Sequence, residues 1–124
     1  MKVLLSNSSK EPIYQQIIDQ IILQILNGTL KEDDALPSMR SLARDLKVSV
    51  ITSKRAYEEL EKAGYIYSIV GKGSFVAKQI EKTRIDKSNY LIRREFIRVV
   101  RESKSSHVLR GDLIKIIDSI YGEE

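Results

Sequence analysis

The chain of 124 residues contains no cysteine and a single histidine, His107. Without thiols it can form neither disulfides nor thiolate metal sites, and a reducing compartment is the expectation. One histidine excludes His-cluster metal sites and two-histidine mechanisms. The carboxylates are scattered over the exteriors of predicted helices, so they assemble no nucleophile–base pair and no metal constellation. We therefore predict a protein that is not an enzyme and that uses no cofactor and no metal.

Long apolar runs are also missing. The N-terminal run at residues 3–5 is far too short for a signal peptide, and nothing downstream approaches the length of a membrane span. With 42% hydrophobic and 31% charged residues, the composition is that of an ordinary globular protein. A chain of this length can form one domain with a small appendage. These features predict a cytoplasmic protein with no membrane partner.

The net charge is a modest +4, but the basic residues are concentrated in one segment. Between Ser38 and Ala56 only Asp45 is acidic, whereas the flanking segments 32–34 and 58–61 are rich in carboxylates. The cations of this segment are Arg40, Arg44, Lys47, Lys54 and Arg55. A basic patch bounded by acidic residues indicates an anionic partner, although a solvated helix face would give the same pattern.

The first two predicted elements are helices. Over residues 11–27, isoleucine and leucine recur three and four positions apart, which predicts an amphipathic helix that ends at Gly28. Ser38 follows a proline and is suited to cap a short helix that runs through Leu46.

The next stretch begins like a strand, because Val50, Ile51 and Thr52 are all β-branched. It continues with strong helix formers, and Ser49 can serve as the N-cap of one helix that runs to Ala63. At about 100° per residue, one face of this helix would point inward. The predicted inward residues are Ser53, Ala56, Tyr57, Leu60 and Ala63.

Residues 65–77 change character, with two β-rich runs around Gly71-Lys72-Gly73. This pattern predicts a hairpin whose glycines can adopt positive φ. The polar residues 78–89 are predicted as a linker that could already be helical. Two more amphipathic helices are predicted at 90–101 and 108–121, with a short turn between them.

Helix, short helix, longer helix and hairpin follow one another in the order of a winged helix-turn-helix. The predicted fold is therefore mainly α with a small β-hairpin. Residues 1–77 would form a winged helix-turn-helix DNA-binding domain. Residues 78–124 would form a two-helix C-terminal dimerisation segment.

Five stretches of the chain carry a resemblance to a known family. They are "PIYQQI" at 12–17, "IL.G.L" at 25–30, "LPSMRSLARDLKVS" at 36–49, "RAYEELEKAGYI" at 55–66 and "GKGSFV" at 71–76. In order and spacing they resemble the GntR family of bacterial transcription regulators. The tail is too short for a large ligand-binding domain and is similar to that of the YtrA-type branch, in which two C-terminal helices serve dimerisation. The chain departs from the family pattern at Asp33-Asp34, where a glycine is usual, and at Val50, Ile51 and Ser53.

The resemblance implies that double-stranded DNA is the partner. The predicted DNA-binding residues are Arg40, Ser49, Val50, Ile51, Thr52, Lys54, Arg55, Gly71, Lys72 and Gly73. Lys54 and Arg55 would meet the major groove or its phosphates, and Lys72 would sit at the tip of the wing. Ile51 points outward and could pack on a thymine methyl, with packing on a neighbouring side chain as the alternative.

For several of these residues the sequence leaves a second role open. Arg40 could instead form an ion pair with Asp45. Thr52 could reinforce the N-terminus of its own helix. Packing against the preceding helix is the favoured role for Val50.

The C-terminal helices have wide apolar stripes that so small a segment cannot bury alone, so we expect a homodimer. Folding back onto the winged domain of the same chain is the alternative. The predicted dimerisation residues are Leu91, Phe96, Val100, Leu113, Ile117 and Ile120.

Together these features predict a sequence-specific transcription regulator, a repressor that binds an inverted-repeat operator as a homodimer. The alternative is a protein-interaction adaptor that keeps the winged fold without strong DNA binding, which the apolar Val50 and Ile51 would suit. The sequence leaves open whether a small-molecule effector exists.

Overall fold

The computed structural model describes residues 1–123, except for the side chains of residues 81–84. Its elements are α1 (Ile13–Leu26), α2 (Met39–Leu46), α3 (Val50–Lys62), β1 (Ile66–Ile69), β2 (Gly73–Val76), α4 (Glu81–Ser105) and α5 (Arg110–Tyr121). The predicted fold class, mainly helical with a small β-hairpin, is confirmed. None of the helices described is long and apolar enough to cross a membrane.

The chain forms two compact units, Met1–Asn89 and Tyr90–Glu124. The first unit contains α1 to β2, and the second contains the C-terminal part of α4 and all of α5. The division into a DNA-binding part and a dimerisation part at residue 77 stays a prediction.

The core of the first unit lies between α1 and α3. The apolar stripe predicted for α1 is buried, with Ile17 and Ile21 fully inaccessible to solvent. This helix packs against α3, in which Ala56, Tyr57 and Leu60 are buried as predicted. Because α3 also packs on α2 and β1, its orientation is set from several sides.

Both predicted N-caps of the helix-turn-helix form. The Ser38 hydroxyl accepts a hydrogen bond from the Ser41 amide at 3.1 Å, and the Ser49 hydroxyl accepts one from the Thr52 amide at 3.1 Å. The stretch that begins like a strand is therefore the first turn of α3, because capping and packing override its weak local preference. The prediction for Ala63 is wrong. It is the exposed C-cap residue, since Gly64 at φ +85° ends the helix immediately after it.

The hairpin forms where predicted, with Ile69 paired to Gly73 across an antiparallel ladder. Gly71 and Gly73 both adopt positive φ. The loop before α2 adds to this sheet: the Asp33 amide donates to the Val76 carbonyl at 2.8 Å, and the Leu36 amide donates to the Ser74 carbonyl at 2.9 Å. Asp33 itself has φ +68°, which explains why a glycine suits this loop and why an aspartate can replace it.

An N-terminal arm, which was not predicted from the sequence, lies along α1. Three glutamines of α1, one turn apart, hold its backbone. Gln16 bonds both the amide and the carbonyl of Ser6, Gln20 does the same for Leu4, and Gln24 donates to the Lys2 carbonyl. The i, i+4 spacing of the glutamines was the available signal, since it places all three on one helix face.

Helix α4 is longer than predicted. It begins at Glu81, within the linker for which a helical start was left open, and continues to Ser105, through most of the predicted turn. Arg98 supports this extension by pairing with Glu95 and Glu102, three positions before and four after it. The turn to α5 is confined to residues 106–109 and contains His107 at φ +62°.

Candidate nucleic-acid interface

Helices α2 and α3 are joined by a three-residue turn in which Lys47 adopts the left-handed conformation, φ +58°. Two side chains of α3 donate hydrogen bonds to the backbone at the start of α2. The Ser53 hydroxyl, fully buried, donates to the Met39 carbonyl at 2.7 Å, and the Tyr57 hydroxyl donates to the Pro37 carbonyl at 2.6 Å. Ser53 departs from the apolar residue usual in the family, and this hydrogen bond gives the hydroxyl its structural role. The first turn of α2 is thereby fixed against α3.

The Tyr57 hydrogen bond leads to a stability prediction. Tyr57→Phe removes the donor and leaves the Pro37 carbonyl without this partner, so we expect the free energy of unfolding to fall by about 1–2 kcal/mol. Urea denaturation at neutral pH measures this loss.

The same substitution should also change the alkaline pH dependence. Burial raises the pKa of Tyr57 in the folded state above its usual value of about 10. A raised folded-state pKa stabilises the protein below pH 10, and this contribution is lost as the pH rises further. The difference between the wild type and Tyr57→Phe should therefore narrow above pH 10. A constant difference across this range would contradict the assignment.

The outer face of α3 is exposed at its N-terminal half. Ile51 is 79% exposed, and Lys54 and Arg55 are also exposed. Lys54 lies 3.9 Å from Glu58, a weak surface ion pair that leaves its ammonium accessible. Val50 is 43% exposed, so part of its surface is covered, and its packing against the preceding helix stays a prediction.

The hydroxyls at the start of α3 serve the helix itself. Ser49 and Thr52 are joined by a hydrogen bond of 2.8 Å between their hydroxyl oxygens, in addition to the cap made by Ser49. This contact favours the local role considered for Thr52. Direct DNA contacts by these two residues stay predictions.

Arg40 lies in the first turn of α2 and is exposed. Within residues 1–123 as described, no ion pair joins its guanidinium to Asp45. The alternative of an intramolecular Arg40–Asp45 pair is thus not supported. The side chain is available for an external anion.

The hairpin, or wing, is anchored on two sides. The Tyr67 hydroxyl donates to the Asp33 carboxylate at 2.7 Å, and this hydrogen bond is the main reason why the pKa of Tyr67 is raised. On the other side, the Ser68 amide donates to the Glu61 carboxylate of α3 at 3.1 Å. Lys72 is exposed at the tip of this anchored hairpin, between the two glycines.

A contact between α1 and α3 was missed in the sequence analysis. The Arg55 guanidinium carbon lies 3.8 Å from the centre of the Tyr14 ring, within cation–π distance. Tyr14 belongs to the stretch "PIYQQI", but spacing along the chain gave no sign that it would meet Arg55. Only the packing of α1 on α3 brings them together.

The predicted dimerisation residues all belong to the second unit. Phe96, Ile117 and Ile120 are exposed, and Leu91, Val100 and Leu113 are half-buried. Val100 and Leu113 also line a cleft of about 570 Å³ between the end of α4 and the start of α5. No described residue of α5 is fully buried within this unit. The apolar face of α5 thus remains largely uncovered.

Residues 13–76 match the model of the family described as bacterial regulatory proteins, gntR family. The chain belongs to the GntR family. It is 33% identical over 92 residues to the HTH-type transcriptional repressor YtrA of Bacillus subtilis (strain 168), covering 74% of this chain and 71% of that protein. The predicted family and its YtrA-type branch are confirmed.

Solved structures extend the comparison. A GntR family transcriptional regulator from Listeria monocytogenes is 30% identical with a TM-score of 0.62, covering 93% of this chain and 98% of that one. AraR(DBD) in complex with operator ORX1 is 30% identical with a TM-score of 0.55, covering 62% of this chain and 96% of that one. This GntR-family chain is a transcription regulator with a winged helix-turn-helix.

Proposed function

We propose that this GntR-family regulator is a repressor that binds a double-stranded operator as a homodimer. The observation that carries the proposal is the two-sided character of α3. Its inner face is buried through Ser53, Ala56, Tyr57 and Leu60. Its outer face presents Ile51, Lys54 and Arg55 to solvent. A helix that is packed on one side and has a basic, exposed N-terminal half can enter the major groove of DNA.

The contacts divide into two kinds. Arg40, Lys54, Arg55 and Lys72 are exposed cations that would bind phosphates and set affinity. Ile51 would read sequence, because an apolar side chain distinguishes thymine by its methyl group. Gly71 and Gly73 would let the wing backbone approach the duplex closely. The first residues of α3 and its N-cap would lie where the helix enters the major groove; they are Ser49, Val50 and Thr52.

The homodimer is supported by the second unit. Its apolar residues are exposed or half-buried in the single chain, and a second copy offers the same surface for a twofold contact. The α3 helices of the two copies would then be the recognition helices, and would read an inverted repeat with half-site centres about 34 Å apart. The transcriptional repressor YtrA is similar over most of this chain, which supports repression. Occupation of an operator that overlaps a promoter would be the means.

An adaptor function is the second candidate, and the 79% exposure of Ile51 is the observation that favours it. Selection of bound fragments from a random duplex library, followed by a salt titration, separates the two. DNA binding predicts a palindromic consensus and an affinity that falls steeply with salt. Absence of binding to every duplex at low salt would contradict DNA binding, and a consensus with a single half-site would contradict the twofold arrangement.

Replacement of Ile51 tests base reading. Ile51→Asn should change the preferred base at one position of each half-site, because asparagine bonds adenine whereas isoleucine packs on the thymine methyl. Repeating the selection with the variant measures this change. Ile80→Asn is the matched control, since Ile80 is an isoleucine of similar exposure, 77%, outside the proposed interface. If Ile51→Asn leaves the consensus unchanged, Ile51 does not read DNA.

A further inference from the structure

The Arg55–Tyr14 contact differs from the way the neighbouring cation is held. The Lys54 ammonium faces the Glu58 carboxylate at 3.9 Å. Arg55 has no ion pair with a carboxylate among the described residues, and its guanidinium instead lies over the Tyr14 ring at 3.8 Å. Arg55 is therefore held by the face of its guanidinium.

The geometry of the contact leaves the donors of Arg55 free. A guanidinium is planar, and its five N–H groups point outward in that plane. Stacking on a ring occupies the face of the plane and leaves these edges available for a phosphate oxygen. An ion pair with a carboxylate would occupy them.

Tyr14 is suited to hold this position. It is half-buried in the first turn of α1, next to the fully buried Ile17 one turn later. Because α1 packs on α3, the ring stands at a fixed place beside the recognition helix. A long arginine side chain loses substantial rotamer freedom when it binds, and a side chain already stacked loses less on binding.

We propose that Tyr14 is a positioning residue for DNA binding, which holds the Arg55 guanidinium in place for a backbone phosphate without contacting the DNA itself. This inference rests on the proposed function of α3. Through Tyr14, helix α1 would contribute to the affinity for the operator. Tyr14 acts only through Arg55.

A double-mutant cycle on the full-length chain tests the proposal. Affinities for the selected operator duplex are measured for the wild type, Tyr14→Leu, Arg55→Ala and the double variant. Tyr14→Leu should weaken binding by roughly two- to five-fold, the range of an exposed cation–π contact. In the Arg55→Ala background the same change should have no effect. Equal losses in both backgrounds would overturn the proposal, because they would mean a role independent of Arg55.

Tyr14→Phe separates positioning from direct contact. Phenylalanine keeps the ring and should retain wild-type affinity. If Tyr14→Phe loses as much as Tyr14→Leu, the hydroxyl contacts DNA and the positioning role is refuted. The upfield ring-current shift of the Arg55 δ-protons in NMR spectra should persist in Tyr14→Phe and disappear in Tyr14→Leu.

Failure of the proposed DNA-binding function and failure of the positioning role of Tyr14 give different results. If the wild type binds no duplex at low salt, the proposed function fails. If it binds DNA but Tyr14 and Arg55 are energetically independent, only the positioning role fails.

Discussion

Replacing Phe96 with aspartate should convert the dimer into a monomer. Phe96 is 52% exposed in the single chain, so the substitution costs the isolated fold little. In the proposed dimer it would place a carboxylate from each copy in an apolar contact, where uncompensated charges are costly by several kcal/mol. Light scattering or sedimentation should therefore report half the wild-type mass at the same concentration.

The loss of the dimer should also appear in DNA binding. Two linked half-site contacts exceed one by a factor of about 10²–10⁴, so Phe96→Asp should weaken operator binding by a factor of that order. The control is Leu4→Asp, an equally polar replacement of an exposed apolar residue in the first unit. It should leave both mass and affinity unchanged. An unchanged mass for Phe96→Asp would refute the proposed dimer surface.

Lys54→Glu should reduce operator affinity by about 10- to 100-fold, since it removes one phosphate contact and adds a repulsive charge beside Glu58. The affinity should also depend less steeply on salt. Fluorescence anisotropy with the operator duplex at several salt concentrations measures both quantities. The effect arises from the position of Lys54 in the exposed N-terminal half of α3.

Lys62→Glu is the matched control for this experiment. Lys62 is also an exposed lysine of α3, and it is paired at 4.0 Å with Glu59, much as Lys54 is with Glu58. It occupies the last position of the helix, away from the end that would enter the groove. The net charge change is identical, so a general electrostatic effect would weaken both variants alike. Equal losses would contradict the predicted docking geometry.

Much of the fold could be predicted because it depends on local patterns. The periodic isoleucines of α1 and the caps Ser38 and Ser49 each act within one element. The two glycines of the hairpin do the same. Tyr57 and Leu60 could be placed in the core because helical angle alone separates them from Ile51 and Lys54. Ala63 was misplaced by the same rule, since a helix face has no meaning at the residue where the helix ends.

The sequence by itself determined the element order, the inward and outward faces of α3 and the family of this protein. Tertiary structure alone decided which distant residues meet. These include the Ser53 bond to Met39, the Asp33 anchor of Tyr67, and Tyr14 beneath Arg55. The physical reason is that the periodicity of a helix or strand depends on residues that are close together in the sequence. Contacts between elements depend instead on how whole surfaces pack, and no spacing along the chain records that.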